Sequence, residues 1–323
     1  MEKQLELLKS AIAIAVVLLV PISEAHAQTP RGKPIRIVVG AQAGGAADVV
    51  ARRMGVKLTE IRNQQVVIDN RIGVAGAEIT MQAAPDGNTM LFTPDSIIMR
   101  EAVYQKTSYK TLRDFQPVTI AVVQPNVLAV HASLAARSVQ DLVALARAKP
   151  GQINYGSAGN GSAQHMAGEL FRLIAKIDVV HVPYKGVPQA TADLIGGRVQ
   201  YVLGSPVSLL PHARENRVRL LAVTTPKRAA ALPDVPTMAE SGVYGYEYIG
   251  WLGMFVPKAT PRALVDALHA DIARIVHEPE VKQLITSGGT EPLGNSPDEF
   301  TAKLKTEIPR WIRVAREAGI KAD

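Results

Sequence analysis

One stretch restricts the fold of this chain more than any other: Ile153 to Phe171, INYGSAGNGSAQHMAGELF. It reads as a short strand, a turn of small and hydrogen-bonding residues, and an amphipathic helix. Gly156, Gly159 and Gly161 let the backbone turn tightly, and Ser157, Asn160 and Ser162 bring donors and acceptors. Ser162 is placed to cap the helix that carries Gln164 and His165 in its first turn. A strand feeding a glycine-rich turn and a helix N-terminus aims several backbone N–H groups at one point. That geometry attracts an anion, most often phosphate or carboxylate.

The same logic recurs along the chain. Ile35 to Val39 (IRIVV) is a buried strand, Gly40 to Gly45 (GAQAGG) a turn, and a helix begins at Ala46. Strands at Val66–Asp69 and Thr89–Thr93, with a helix through Ala83 between them, complete a β-α-β-α-β pattern, which calls for parallel strands covered by helices. Two strand-like runs, Phe115–Val123 and Asn126–His131, are broken by Gln124-Pro125, where the chain is expected to pass between lobes. Ser138 caps a helix ending at Lys149, and the 153–171 stretch follows. Strands at Val179–Pro183, Val199–Leu203 and Arg219–Thr224 alternate with helices, and Trp251–Pro257 is a last apolar strand. The final helix pattern, Pro297 to Gly319, contains Pro309, which is expected to kink or split it.

Composition narrows the function. With 323 residues, 47% hydrophobic and 20% charged, the chain can build one large domain or two lobes with separate cores. There are no cysteines, so disulfides, thiolate metal sites and a cysteine nucleophile are excluded. The net charge of +7 is spread without a basic run, which argues against nucleic acid and suits the gathering of small anions. Lys3 and Lys9, the apolar run Ala11–Val20 and the triplet Ala25-His26-Ala27 have the layout of a secretory signal peptide, residues 1–27, cleaved after Ala27. No later segment is apolar enough to span a bilayer, so the mature chain is not expected to be membrane-embedded.

Neither glycine turn matches the dinucleotide fingerprint, and no Walker lysine follows, so no nucleotide cofactor is expected. The seven histidines lack metal spacing, so no metal is expected either. Ser157, Ser162, His165 and Asp48 could be assembled into a hydrolase triad, but the G-x-S-x-G elbow is missing and His165 follows Ser162 on one helix turn. His165 is open to two readings, a helix-capping residue or a ligand donor. Tyr184 and Lys185 follow a strand and offer a hydroxyl and a cation, or simply a surface. Tyr248 and Trp251 fill a core or wall a pocket.

Ordered segments then carry a resemblance. KPIRIVVGAQAGGAADVVAR (33–52), IDNRIGVAGA (68–77), PDGNTMLF (85–92), NYGSAGNGSAQHMAGELF (154–171), VHVPYKGVPQATADLIGGRV (180–199), RLLAVTTPKRAAALPDVPTMAESG (219–242) and WLGMFVP (251–257) are similar to the Bug-type extracytoplasmic solute-binding proteins of tripartite tricarboxylate transporters. The resemblance implies an α/β, two-lobed fold of the periplasmic-binding-protein type II arrangement, each lobe a mixed, mostly parallel sheet flanked by helices. Lobe one would comprise residues 28–125 and 249–323, and lobe two residues 126–248. It implies a periplasmic, non-enzymatic monomer that captures a small carboxylate and hands it to integral membrane permease subunits. A sensor without a transporter and an α/β hydrolase stand as alternatives. The implied ligand-binding residues are Gln42, Ala43, Gly44, Gly45 and Asp48 in the first turn, and Ser157, Gly159, Asn160, Gly161, Ser162 and His165 in the second. Tyr184, Lys185, Gly204 and Ser205 join them. Two departures stand out: the first turn lacks the usual aromatic and prolines, and Gly204 stands where relatives often carry an Asp. The second disfavours an amine-bearing ligand and weakly favours an acid without an amine.

Overall fold

The computed structural model describes residues 32–104, 106–287 and 289–320. The expected signal peptide, residues 1–27, and its cleavage after Ala27 lie outside the described residues.

Two sheets carry the fold. The first has the order β11-β4-β10-β3-β1-β2 and the second β7-β6-β8-β5-β9. In the first, β1 (Ile35–Val39) pairs in parallel with β2 (Val66–Asn70) and β3 (Thr89–Pro94). The antiparallel members are β4 (Phe115–Gln124), β10 (Gly250–Pro257) and β11 (Glu291–Pro292). In the second, β6 (Asn154–Ser157) is parallel to β7 (Val180–Pro183) and β8 (Tyr201–Gly204), whereas β5 (Val127–His131) is antiparallel to β8 and β9 (Val218–Val223). Both sheets are therefore mixed. Parallel pairing holds where a helix returns the chain, and antiparallel pairing comes from the strands that carry it between sheets.

The chain changes sheet where Gln124-Pro125 breaks the apolar run, because proline offers no N–H to a ladder. It returns between β9 and β10. Strand β1 shows why IRIVV must be central. Ile35, Ile37 and Val39 enter one core with α1 (Ala46–Arg62) and α9 (Arg262–His277), while Val38 enters the opposite core with Leu91 and Ala77. Burying both faces favours an unbroken apolar run over an alternating one. Trp251 and Tyr248 belong to the core. The core containing Val38 is continuous with Tyr155, Phe171 and Tyr201 of the second sheet's layer.

The remaining helices are α2 (Ala75–Met81), α3 (Ser96–Val103), α4 (Thr111–Asp114), α5 (Val139–Ala148), α6 (Ala163–Ala175), α7 (Val187–Ile195), α8 (Pro206–Arg214), α10 (Pro279–Ser287) and α11 (Pro297–Glu317). Ser138 and Ser296 form capping boxes with Asp141 and Glu299 at the starts of α5 and α11. Pro309 does not split the last helix: α11 runs unbroken across it. Its buried face, including Phe300, Leu304, Ile308 and Trp311, supplies the packing that offsets one missing backbone bond.

Candidate ligand-binding site

Both glycine turns sit at the carboxyl ends of parallel strands, where open α/β sheets bind ligands. The first follows β1. Gly40 donates its N–H to the Phe92 carbonyl at 2.9 Å, and a Cβ there would overlap the Thr93 side chain. Gly44 adopts φ +78°, open to glycine at little cost. Gln42, Ala43 and Gly44 are exposed.

Asp48, in the first turn of α1, is buried and all its oxygens are engaged. Oδ2 accepts from the Gly44 N–H at 2.8 Å and from Arg52 Nε at 3.0 Å, while Oδ1 accepts from Asn70 Nδ2 at 2.9 Å. Burial alone would raise this carboxyl, but the bonds from Arg52, Gly44 and Asn70 outweigh it and hold it below the usual carboxylate range. Asp48 thus fixes the Gln42–Gly45 turn from below. Asn70 also donates to the Ala41 carbonyl, bracing the other end.

In the second turn, Ser162 accepts from the His165 N–H at 3.2 Å, the expected N-cap. The Gly161 N–H donates to His165 Nδ1 at 3.1 Å, which places the proton of the neutral ring on Nε2. His165 stacks on His181, with centroids 3.9 Å apart and planes at 11°. His181 in turn meets Ser157 Oγ at 2.6 Å, and Oγ accepts from the Gly159 N–H at 3.1 Å. Burial pushes His181 down to about 3, helped by His165; burial likewise lowers His165. Both rings are neutral near pH 7. The second turn therefore offers an anion dipoles and amides but no imidazolium charge.

His181 was not among the residues expected from sequence. Its register explains why it matters: it lies directly opposite Tyr155 on β6, so Tyr155, Ser157 and His181 share one face of the sheet. Strand alternation puts His181 on that face only once the β6–β7 pairing is known. The face is sealed by α6. Tyr155 Oη donates to Glu169 Oε1 at 2.6 Å, and Arg172 Nε donates to Glu169 Oε2 at 2.6 Å. Gly168 allows this approach, since a Cβ there would stand 2.9 Å from Tyr155 Cζ and nearer still to Cε2. Gly168→Ala is expected to cost about 1–3 kcal/mol through overpacking, read as a lowered midpoint in urea unfolding at unchanged slope.

The Ser157–His181 pair is not a nucleophile and its base. Ser157 is 1% exposed, no described carboxylate bonds to His181, and a histidine titrating near 3 is a weak base at neutral pH. Ser162 and His165 point into their own helix turn, and Asp48 serves the other sheet. The candidate triad is not assembled.

Tyr184 gives its hydroxyl to Asp193 Oδ2 at 2.7 Å, and burial with Asp193 pushes the phenol up to about 12. Its N–H bonds the Ser157 carbonyl, anchoring the second turn from beside. Lys185 and Asn160 are exposed. Gly204 ends β8 and is buried; a Cβ there would meet Leu209 Cδ1 at 3.0 Å. Ser205 follows as the residue before α8. Gly204 shares a cavity of about 10 Å³ with Gly156, Ser157, Ala158 and Gln164, so the second turn and the end of β8 meet. The first turn borders a separate cavity of about 50 Å³ through Gly40.

Residues 50–320 match the family described as the tripartite tricarboxylate transporter family receptor, TctC. Among similar proteins, the "UPF0065 protein in tcbD-tcbE intergenic region" of Pseudomonas sp. (strain P51) is 36% identical over 295 residues, 90% of this chain and 88% of that one. Protein BugT of Bordetella pertussis is 32% identical over 300 residues, 91% of this chain and 92% of that one. The solved structure of R. palustris Rpa4515 with adipate has a TM-score of 0.80 at 34% identity, covering 89% of this chain and 98% of that one.

Proposed function

The chain belongs to the tripartite tricarboxylate transporter receptor family, and from that membership we propose that it captures a small carboxylate between its two glycine turns for delivery to membrane permease subunits. Its fold is the two-lobed arrangement of Bug-type periplasmic binding proteins, and the family is one of periplasmic receptors rather than enzymes. In this reading the mature protein begins after Ala27, works as a monomer, and folds residues 28–125 with 249–323 into one lobe and 126–248 into the other. No helix among the described residues is long and apolar enough to cross a membrane.

The observation that carries the reading is the pair of braced turns, one after β1 held by Asp48 and one after β6 held by Ser157 and Ser162. Each presents backbone amides at the start of a helix, α1 and α6. A carboxylate there gains about 0.3–1 kcal/mol from each helix dipole and roughly 1.5–3 kcal/mol from each charge-assisted hydrogen bond before ordering costs. Only a closed arrangement makes both sets at once, so the ligand favours closure. The adipate bound to Rpa4515 supports a carboxylate as ligand class.

Native mass spectrometry of freshly purified protein, followed by thermal shift with the acids found and with adipate, tests this. Stoichiometric capture of an unchanged acid is expected, and catalytic turnover of it would sink the reading. The Ser157→Ala, Ser162→Ala double variant is expected to bind about tenfold more weakly, since each hydroxyl organises the turn with bonds worth about 1 kcal/mol. An unaltered dissociation constant in calorimetry would remove both from the site.

A further inference from the structure

A cation that the turns do not account for lies beside the first of them. Arg100 sits in the second turn of α3 and is half-buried. It lines the cavity of about 50 Å³ together with Gly40, Gly73, Thr93, Ser96 and Tyr109. Gly40 follows β1, Gly73 follows β2, and Thr93 and Ser96 close β3 and open α3. Three adjacent parallel strands thus bring their carboxyl ends to the cavity that Arg100 lines. The space suits one carboxylate-sized group rather than a whole ligand.

Four acids near this edge are already engaged. Asp48 is held by Arg52 and Asn70, Asp69 by Arg36 and Arg71, and Asp95 accepts from Tyr248. Glu101, next in sequence to Arg100, accepts from the Thr111 N–H at 2.8 Å and lies 3.9 Å from Lys110. No described side chain pairs with Arg100. A half-buried guanidinium without a counter-ion costs solvation unless an anion arrives, and its planar fork fits a carboxylate with two parallel bonds.

We propose that Arg100 is the specificity residue of this cleft: it takes a second carboxylate of the ligand, so that the protein selects dicarboxylates over monocarboxylates of equal length. This rests on the carboxylate-capture reading and names the group that reads the far end of the ligand. The first turn binds one end through amides, which any carboxylate satisfies. Arg100 adds a charge that only a second anion can use, and discrimination follows from that difference.

Isothermal calorimetry with straight-chain dicarboxylates and the matching monocarboxylates, adipate and hexanoate among them, tests it on the wild-type mature protein and Arg100→Gln. The wild type is expected to bind its best dicarboxylate at least tenfold more tightly than the matching monocarboxylate. Arg100→Gln is expected to lose that preference while keeping its monocarboxylate affinity, and Arg100→Lys to restore part of it. Because nothing described pairs with Arg100, ligand-free Arg100→Gln is expected to unfold at the wild-type temperature. Equal wild-type affinity for both series, or a variant that retains the preference, overturns the proposal and leaves carboxylate capture standing. Failure of the wild type to bind either series instead overturns the capture reading beneath it.

Discussion

Asp95→Asn is expected to raise the unfolding temperature near pH 8 and to leave it unchanged near pH 4. Asp95 lies between β3 and α3, with 3% of its surface exposed. Its Oδ2 accepts from Tyr248 Oη at 2.7 Å, and its N–H donates to the Trp251 carbonyl. Tyr248 in turn donates its N–H to the Thr224 carbonyl, so the carboxyl ties β3 to the segment that returns from the second sheet. Burial pushes Asp95 from 3.8 up to about 7; the Tyr248 bond and Lys303 oppose that push, and Glu307 adds to it. Below the unfolded value both states hold the proton and the group contributes nothing. Between 3.8 and about 7 the folded state keeps a proton that the unfolded chain releases, so stability falls as pH rises through this window. Above it the deficit is constant, on the order of 4 kcal/mol at 1.36 kcal/mol per unit. Asparagine keeps an acceptor for Tyr248 without the charge and removes the deficit. Thermal unfolding of both proteins from pH 4 to pH 8 decides the matter through their difference, in which all other titrating groups cancel. Parallel curves would show that Asp95 titrates normally.

What could be read from the sequence was what depends on neighbours along the chain. The run IRIVV, the glycine turns, the Ser138 and Ser162 caps and the break at Gln124-Pro125 all reflect local preferences of backbone and side chain, and each lies where its chemistry puts it. What could not be read depends on which strand lies beside which. His181 reaches Ser157 only through the β6–β7 register, and Arg100 reaches the end of β1 only because β3 pairs with β1 and α3 follows β3. Pro309 is a related case: a local rule predicts a kink or a split, and with Phe300 and Trp311 packed into the core the helix is not split. The first turn lies between these cases. Its glycines announce a tight turn at a strand end, but only the fold shows that Asp48, grouped by sequence with the expected ligand-binding residues, has its oxygens committed to Gly44, Arg52 and Asn70.

Under the proposed carboxylate capture, that commitment gives Asp48 a positioning role, with a second large effect to be expected from its removal. Gln42, Ala43 and Gly44 are exposed and the turn lacks prolines, so its backbone has few constraints of its own. The Gly44 bond to Asp48 and the Asn70 bond to the Ala41 carbonyl hold it in one shape, and Asn70 is itself oriented by Asp48. Asp48→Ala releases both ends. The ligand must then order the turn on binding, and losing one charge-assisted bond of roughly 1.5–3 kcal/mol predicts an affinity lower by about a hundredfold. Asp48→Asn separates position from charge. Its amide oxygen can still accept from Gly44, but the ion pair with Arg52 is lost, along with an acceptor for either Arg52 or Asn70. An intermediate loss of about tenfold is expected, with the on-rate less affected than the off-rate. Surface plasmon resonance of the wild type and both variants measures this. If alanine and asparagine weaken binding equally, the ion pair with Arg52 rather than the Gly44 bond is what holds the turn. If neither weakens it, the first turn holds its shape without Asp48, and Asp48 must be struck from the site altogether.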